Sequence, residues 1–313
     1  MPINTIQYGQ ILQKGLDQKV LHSMLTGWMD ANAGQVKYVG GNEVKIPTMA
    51  VDGLGNYKRN ESGGAYAQGS IDVKYKTYTM TQDRARKFQL DAMDVDESNF
   101  VATATNVMNV FQTEKVTPEI DAYRLSKLAT VAMGVAGDTN VEYAYKPAQD
   151  TVLQKIKEGI KTIRENGYQG QLVIHANYDT VLALELAMGN KIASMTFAKA
   201  GINTQVPSID NCPIISTPQN LLYSAITLHD GTTVGQTAGG YVKAESAKNV
   251  NFIIVPVSVP IAITKQDVMR IFDPMTNQEA NAWAMDYRRY HDLWVLENKK
   301  NLVFANIAEA KGV

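Results

Sequence analysis

At 313 residues the chain is long enough for two ordinary domains or one elaborate one, and its apolar share of 45% supplies a core of normal size. The 30 basic and 31 acidic residues leave a net charge of −1, which excludes the cationic excess that tight, non-specific nucleic-acid binding needs. A single cysteine excludes an intrachain disulfide and a cysteine-based zinc site, and the 19% of charged residues, below the usual ~25%, points to surface covered by partners.

Residues 1–34 read as an arm. Met1-Pro2-Ile3-Asn4 opens a polar stretch without a signal-peptide core. Ile6, Ile11, Leu12, Leu16, Val20, Leu21, Met24, Leu25 and Trp28 give a partial helical period, interrupted by Gly9, Gly15 and Gly27. Such a segment packs on its own domain or on a neighbour. In residues 36–80, Val36, Tyr38, Val44 and Ile46 read as strand, followed by the turn-rich stretch 52–64. Ile71, Val73, Tyr75, Thr77 and Thr79 then alternate with Asp72, Lys74, Lys76 and Tyr78, a two-residue period. The expectation is a long hairpin with arms of roughly 20 residues and a reach of at most about 60 Å at ~3.3 Å per residue, shortened by loops and bulges. A globule of this length is about 50 Å across, and an isolated two-stranded ribbon is marginal in water. The hairpin is therefore expected to rest on another subunit.

Residues 98–132 are helical by spacing. Phe100, Ala104, Val107, Met108 and Phe111 share a face, as do Val116, Ile120, Tyr123 and Val131; at Thr117-Pro118 the helix restarts or kinks. Residues 148–260 read as α/β. Helices are expected over Asp150–Glu165, stopped by Asn166-Gly167, and over Tyr178–Met188. Strands are expected at 171–176, 214–216, 226–228 and 252–255, with a Gly-rich link at 235–240. Residues 261–313 read as extended; within them Trp283–Tyr290 and Leu293–Leu296 are strand candidates, 297–301 a turn, and 302–307 a return strand. The longest apolar region, Phe252–Ile263, is broken by Pro256, Ser258 and Pro260, so no bilayer span is expected.

Chemistry-bearing patterns are sparse. His22, His175, His229 and His291 share no metal-ligand spacing, and His175 reads as a core or edge residue. Cys212 reads as a small buried residue. Gly53-x-Gly55 lacks the third glycine of a dinucleotide fingerprint, and Ser62-Gly63-Gly64 is not a nucleophile elbow. Asp91, Asp94, Asp96 and Glu97 cluster before the long helix, where the macrodipole favours acids; a divalent-cation site is the alternative. The basic runs 83–87 and 286–290 are expected to pair with carboxylates of neighbouring subunits rather than with nucleic acid. No catalytic residue, cofactor or metal site is expected.

Three segments together resemble the major capsid proteins of tailed bacteriophages, the family with the Hong Kong ninety-seven type fold. They are Arg84-Ala85-Arg86-Lys87-Phe88-Gln89-Leu90-Asp91-Ala92-Met93-Asp94 with Asp96-Glu97; Thr117-Pro118-Glu119-Ile120-Asp121-Ala122-Tyr123-Arg124-Leu125-Ser126-Lys127-Leu128-Ala129; and Ala284-Met285-Asp286-Tyr287-Arg288-Arg289-Tyr290-His291-Asp292-Leu293, then Leu296-Glu297-Asn298-Lys299-Lys300. The resemblance covers nearly the whole chain. It implies an α+β capsid fold: an N-terminal arm (1–34), an extended loop lying across an adjacent subunit (35–80), a peripheral domain with a spine helix (81–147), an α/β axial domain (148–260) and return strands of the peripheral domain (261–313). Tyr57, Lys58, Arg59 and Glu61 are candidates for the inter-subunit loop, Gly53, Gly55, Gly63 and Gly64 for its hinges, and Ile120, Tyr123 and Leu128 for the spine-helix core. Some relatives cross-link a loop lysine, for which Lys58 is a candidate by position only. Many relatives begin with a scaffolding segment that a protease removes. Here either a separate scaffolding protein serves or the chain is processed, and an initiator Met1 favours the former. The expected role is a non-enzymatic subunit that self-assembles into pentamers and hexamers, forming the icosahedral capsid around a double-stranded DNA genome. Expected partners are itself and scaffolding, portal and decoration proteins, with the DNA contacted weakly and no membrane. The expected place is the virion capsid, assembled in the bacterial host cytoplasm. An encapsulin-like nanocompartment shell is the alternative.

Overall fold

The computed structural model describes residues 24–35, 43–57, 59, 66–97, 104–189, 193–199 and 202–311. His22 and most of the expected arm, and Val36 and Tyr38 of the expected strand, lie outside them.

The apolar runs in the second half of the chain build one sheet of seven strands. Its order is β4 (Val141–Glu142), β14 (Phe304–Ile307), β11 (Val250–Pro256), β5 (Leu172–Ala176), β8 (Cys212–Ser216), β7 (Ile202–Ile209) and β6 (Ala193–Lys199). Strands β5 and β11 are buried along their whole length, as continuous apolar runs must be when both faces of a sheet are covered. On one face lies α4 (Val152–Glu165), which buries Val152, Ile156, Ile160 and Ile163 at helical spacing. It approaches so closely that a Cβ at Gly159 would sit 2.8 Å from Ile254 and Phe304 side-chain atoms. Gly167, at φ +88°, ends it. Beside it runs α5 (Tyr178–Met188), capped by Asn177, whose Oδ1 accepts the Thr180 N–H at 2.8 Å. The expected helix limits and strands of this region hold to within a few residues. The β6–β7 hairpin is an addition: Ala193–Lys199 carries no β-branched apolar run and Pro207 interrupts the next strand, so no period announces it.

The opposite face is covered by a long helix that positions everything else. It runs as α2 (Ala104–Phe111), a π-helical turn (Gln112–Val116) and α3 (Thr117–Met133). Thr117 does not cap a restart. Val116 and Thr117 keep helical dihedrals, and the Thr117 hydroxyl donates to Gln112 O. Pro118 lacks an N–H and its ring would collide with the carbonyl four residues back; the widened turn before it accommodates both. The run from Ala104 to Met133 is about 45 Å long at ~1.5 Å per residue. A short helix, α1 (Ala92–Glu97), precedes it, and the Asp91 carboxylate accepts the Met93 N–H at its start.

The second sheet has the order β12 (Pro260–Phe272), β13 (Ala282–Val295) and β3 (Gln82–Asp91), all antiparallel. Strand β13 runs unbroken through His291-Asp292, where the sequence suggests a break, because the buried Asp292 carboxylate is fully hydrogen-bonded. Strand β12 falls in the stretch expected to be extended, though it is not among the strand candidates there. A register shift between Thr264 and Gln266 disrupts its alternation.

The extended hairpin is present, and its described paired part lies within the upper bound of about 60 Å. Strands β1 (Glu43–Val51) and β2 (Ile71–Thr79) pair in register from Glu43↔Thr79 to Val51↔Ile71, nine residues each. That is about 30 Å. The ladder stops because the Asp52 carboxylate takes the Ser70 N–H (2.7 Å) and hydroxyl (2.9 Å) at its end. The described end of the N-terminal segment is a 3₁₀ helix, Gly27–Gln35, laid against the start of β12.

Candidate assembly surfaces

The three segments quoted above for their resemblance meet at one place. Strand β3 pairs with β13, and α3 lies across both. At their junction Tyr123 donates its hydroxyl to Asp292 Oδ1 (2.7 Å), while the Thr81 N–H and hydroxyl donate to Oδ2 (2.9 and 3.0 Å). Burial, and next the Asp292 charge, push the Tyr123 phenol well above its ordinary value. His291 stands edge-on to the Tyr123 ring. Its imidazole is pushed down to about 3 by burial and by the cations Arg289, Arg124 and Arg84. Arg84 forks onto Glu119 of α3 (2.7 and 3.1 Å) and also donates to His229 O (2.8 Å).

The two basic runs do not wait for a neighbouring subunit, contrary to expectation. Arg288 holds Asp83 (2.6 Å), Arg289 holds Asp267 (2.7 Å), Lys87 holds Glu279 (2.7 Å), and Arg86 donates to Thr237 O (3.1 Å). Pairing across adjacent strands brings Arg288 to Asp83 and Arg289 to Asp267, while Glu279 and Thr237 come from loops.

The same spine helix grips the N-terminal segment. The buried Asp121 carboxylate accepts the N–H groups of Leu25 (2.9 Å) and Thr26 (3.0 Å) and the Thr26 hydroxyl (2.6 Å). Burial pushes its pKa up, against the pull of those hydrogen bonds and of Arg124. Arg124 in turn forks onto Asp30 (2.7 and 3.1 Å) and donates to Thr26 O (3.0 Å). Trp28, wholly buried, donates its indole N–H to His175 Nε2 (3.3 Å). The ring proton of His175 therefore sits on Nδ1, which faces the Thr217 hydroxyl at 3.3 Å. Sequence reasoning did not single out Trp28, Asp121, Arg124 or His175 as an anchor. A signal existed: Asp121 and Arg124 fall on the helical arc of Ile120, Leu125 and Leu128, a charged pair on an apolar face.

Ile120, Tyr123 and Leu128 are all buried. Tyr123 lies at the junction, and Leu128 lies in the core shared with the seven-stranded sheet. The loop candidates are arranged differently. Tyr57 packs edge-on against Tyr66 (centroids 5.0 Å apart), and Arg59 is exposed. Gly53 has open space around it, whereas a Cβ on Gly55 would come within 2.6 Å of the Ala67 Cβ. Lys58, Glu61, Gly63 and Gly64 lie outside the described residues.

The ribbon has two chemically distinct faces, fixed by its register. Val44, Ile46 and Tyr78 point to one side and root the ribbon on Ile261, Ile263 and Trp294. Farther out, that side carries Asp72, Lys74 and Lys76, with Lys76 tied to Glu297. The other side pairs Val51 with Ile71, Met49 with Val73 and Pro47 with Tyr75. Met49, Val51, Ile71, Val73 and Tyr75 are 63, 65, 71, 43 and 69% exposed. An apolar strip of this size is therefore left open to solvent. Among the described residues no group of acids, histidines or cysteine is placed to hold a metal ion, and no helix is long and apolar enough to cross a membrane.

No protein-family model matches the chain, and no curated protein matches it. Solved structures do. The asymmetric unit of the bacteriophage PhiM1 mature capsid is 11% identical, with 96% of this chain and 92% of that chain covered at a TM-score of 0.59. A structure from Gordonia phage Cozz is 12% identical, with 97% and 92% covered at a TM-score of 0.61. The capsid structure of Staphylococcus phage Andhra is 12% identical, with 99% and 90% covered at a TM-score of 0.56. Identities this low speak for architecture alone, and the architecture matches end to end: this chain has the phage capsid fold.

Proposed function

We propose that the chain is a structural capsid subunit of a tailed phage. It assembles into pentamers and hexamers that close an icosahedral shell around double-stranded DNA. The observation that carries this is the open apolar face of the ribbon. A two-stranded ribbon is marginal by itself, and apolar surface gains about 25 cal/mol per Å² on burial, so the strip stabilises any arrangement that covers it. A neighbouring copy covers it in every subunit at once, and several weak contacts per subunit add up through effective concentration. In this division of labour residues 1–34 are the arm, 35–80 the loop across the neighbour, 81–147 and 261–313 the peripheral domain, and 148–260 the axial domain at the capsomer centre. Scaffolding, portal and decoration proteins complete the particle, which forms in the host cytoplasm. The role is structural rather than catalytic.

Sedimentation and negative-stain microscopy of the purified chain test this. Capsomers, tubes or closed shells are expected. A chain that stays between monomer and tetramer at tens of micromolar, with and without crowding agent, contradicts the assignment.

A further inference from the structure

Residues 25–32 are held across the spine helix largely by polar groups. Trp28 and Met29 are wholly buried and supply the apolar part of the hold. The rest is hydrogen bonding. Asp121 accepts the N–H groups of Leu25 and Thr26 and the Thr26 hydroxyl, and Arg124 donates to Asp30 and Thr26 O. Asn32 donates to Val257 O (2.5 Å) and Pro260 O (2.8 Å), at the start of β12. Taking two charges out of water costs about as much as their attraction returns, so such a pair fixes a position more than it strengthens a hold. Here the satisfaction is also incomplete. The Arg124 side chain is wholly buried, yet its Nε meets no acceptor among the described residues.

The same two charges have a second way to be satisfied. Asp121 and Arg124 stand three residues apart on α3, a spacing at which opposite charges pair on a helix open to water. With the segment in place, their hydrogen bonds go to the segment. With the segment gone, each has the other. We propose that residues 25–32 are a releasable strap, bound in one state across the spine helix and the start of β12, and in the other exchanged for an Asp121–Arg124 ion pair. Two discrete arrangements of one charge set are what a switching element needs. Bound, the strap ties the helix to the strand whose Ile261 and Ile263 root the ribbon. Released, it is free to make contacts outside its own chain. Asp30 sets the balance: it is the one charged residue of the strap, and 38% of its side chain is exposed, so it can be changed without opening the core.

Amide exchange read by mass spectrometry on the full chain tests this, with peptides from 24–35 and from β11 compared within each sample. In the wild-type chain the strap amides should exchange about a hundredfold or more faster than those of β11, through an opening that leaves the core closed. Asp30→Asn removes the strap's counter-charge to buried Arg124 and should speed strap exchange about tenfold or more, with β11 unchanged. Asn32→Ala, at the other end, should act in the same direction to a smaller degree. Asp30→Glu, which keeps the charge, should stay near the wild-type rate, and Asp267→Asn, which opens an ion pair on the second sheet, should not move the strap. Strap and β11 exchanging together in the wild-type chain would mean that the segment leaves only when the whole molecule unfolds. Equal acceleration of both by Asp30→Asn would mean a purely structural contact. Either result overturns the strap, and neither depends on whether the chain assembles.

Discussion

Asp292 is the residue on which the junction of β3, β13 and α3 turns. Its carboxylate is buried and accepts from Tyr123 and twice from Thr81. Asp292→Ala strands those donors without water, and a buried unmet donor costs about 1–3 kcal/mol. A loss of about 3 kcal/mol or more in urea-unfolding stability is expected, and Tyr123→Phe, which removes one donor along with its need, should cost much less. The buried histidines set a pH dependence. Burial pushes both imidazoles down to about 3, for His175 by itself and for His291 together with the cations Arg289, Arg124 and Arg84. The unfolded chain takes up their protons as pH falls through about 6.5, whereas the native chain refuses them until near 3. Stability therefore falls with pH across that window, by about 1.4 kcal/mol per unit for each histidine. Carboxylates held low by partners, such as Asp83 beside Arg288, add their losses at still lower pH. Urea-unfolding free energies at pH 7 and pH 5 should differ by about 2 kcal/mol for each histidine, because only the part of that interval below about 6.5 contributes; equal values would mean that both rings reach solvent.

Among the elements, the ribbon separates assembly from stability. Its apolar strip is open in the single chain, so Met49→Asp with Val73→Asp should leave thermal unfolding nearly unchanged and abolish particles. Lys74→Glu, on the other face of the same strand, should leave particles intact. Loss of both by either change would remove the distinction between the faces. The strip was visible in the sequence only in half: the alternation of Ile71, Val73 and Tyr75 marks one strand, but Pro47, Met49 and Val51 join it through a register that only pairing fixes. The same limit explains the other differences. Helix α4 was legible because its apolar period and the Asn166-Gly167 stop are local. Strand β12 was legible only as extended chain, because its register shift breaks the period, and the unbroken course of β13 was not, because the partners that satisfy Asp292 come from Thr81 and Tyr123, far away in the chain. The π-turn before Pro118 follows from a known clash, but the sequence does not say whether the helix ends there or widens.

At the scale of the whole molecule the charge arrangement bears on what the shell holds. The chain carries a net charge of −1, and its two basic runs are closed within the same chain, Arg84, Lys87, Arg288 and Arg289 onto carboxylates and Arg86 onto a backbone carbonyl. A paired arginine releases few counterions from DNA, because it must first give up its carboxylate. A protein that makes 6–10 phosphate contacts loses about 10³–10⁵ in affinity between 50 and 200 mM salt. This chain should bind a short duplex weakly and lose less than about tenfold over the same range, measured by fluorescence anisotropy with assembled and unassembled protein. Opening the pairs should change that. Asp83→Asn with Asp267→Asn frees Arg288 and Arg289 and should raise both the affinity and its salt dependence. A steep slope in the wild-type chain would instead require a cationic surface elsewhere on the molecule, and DNA held by the shell wall rather than merely enclosed by it.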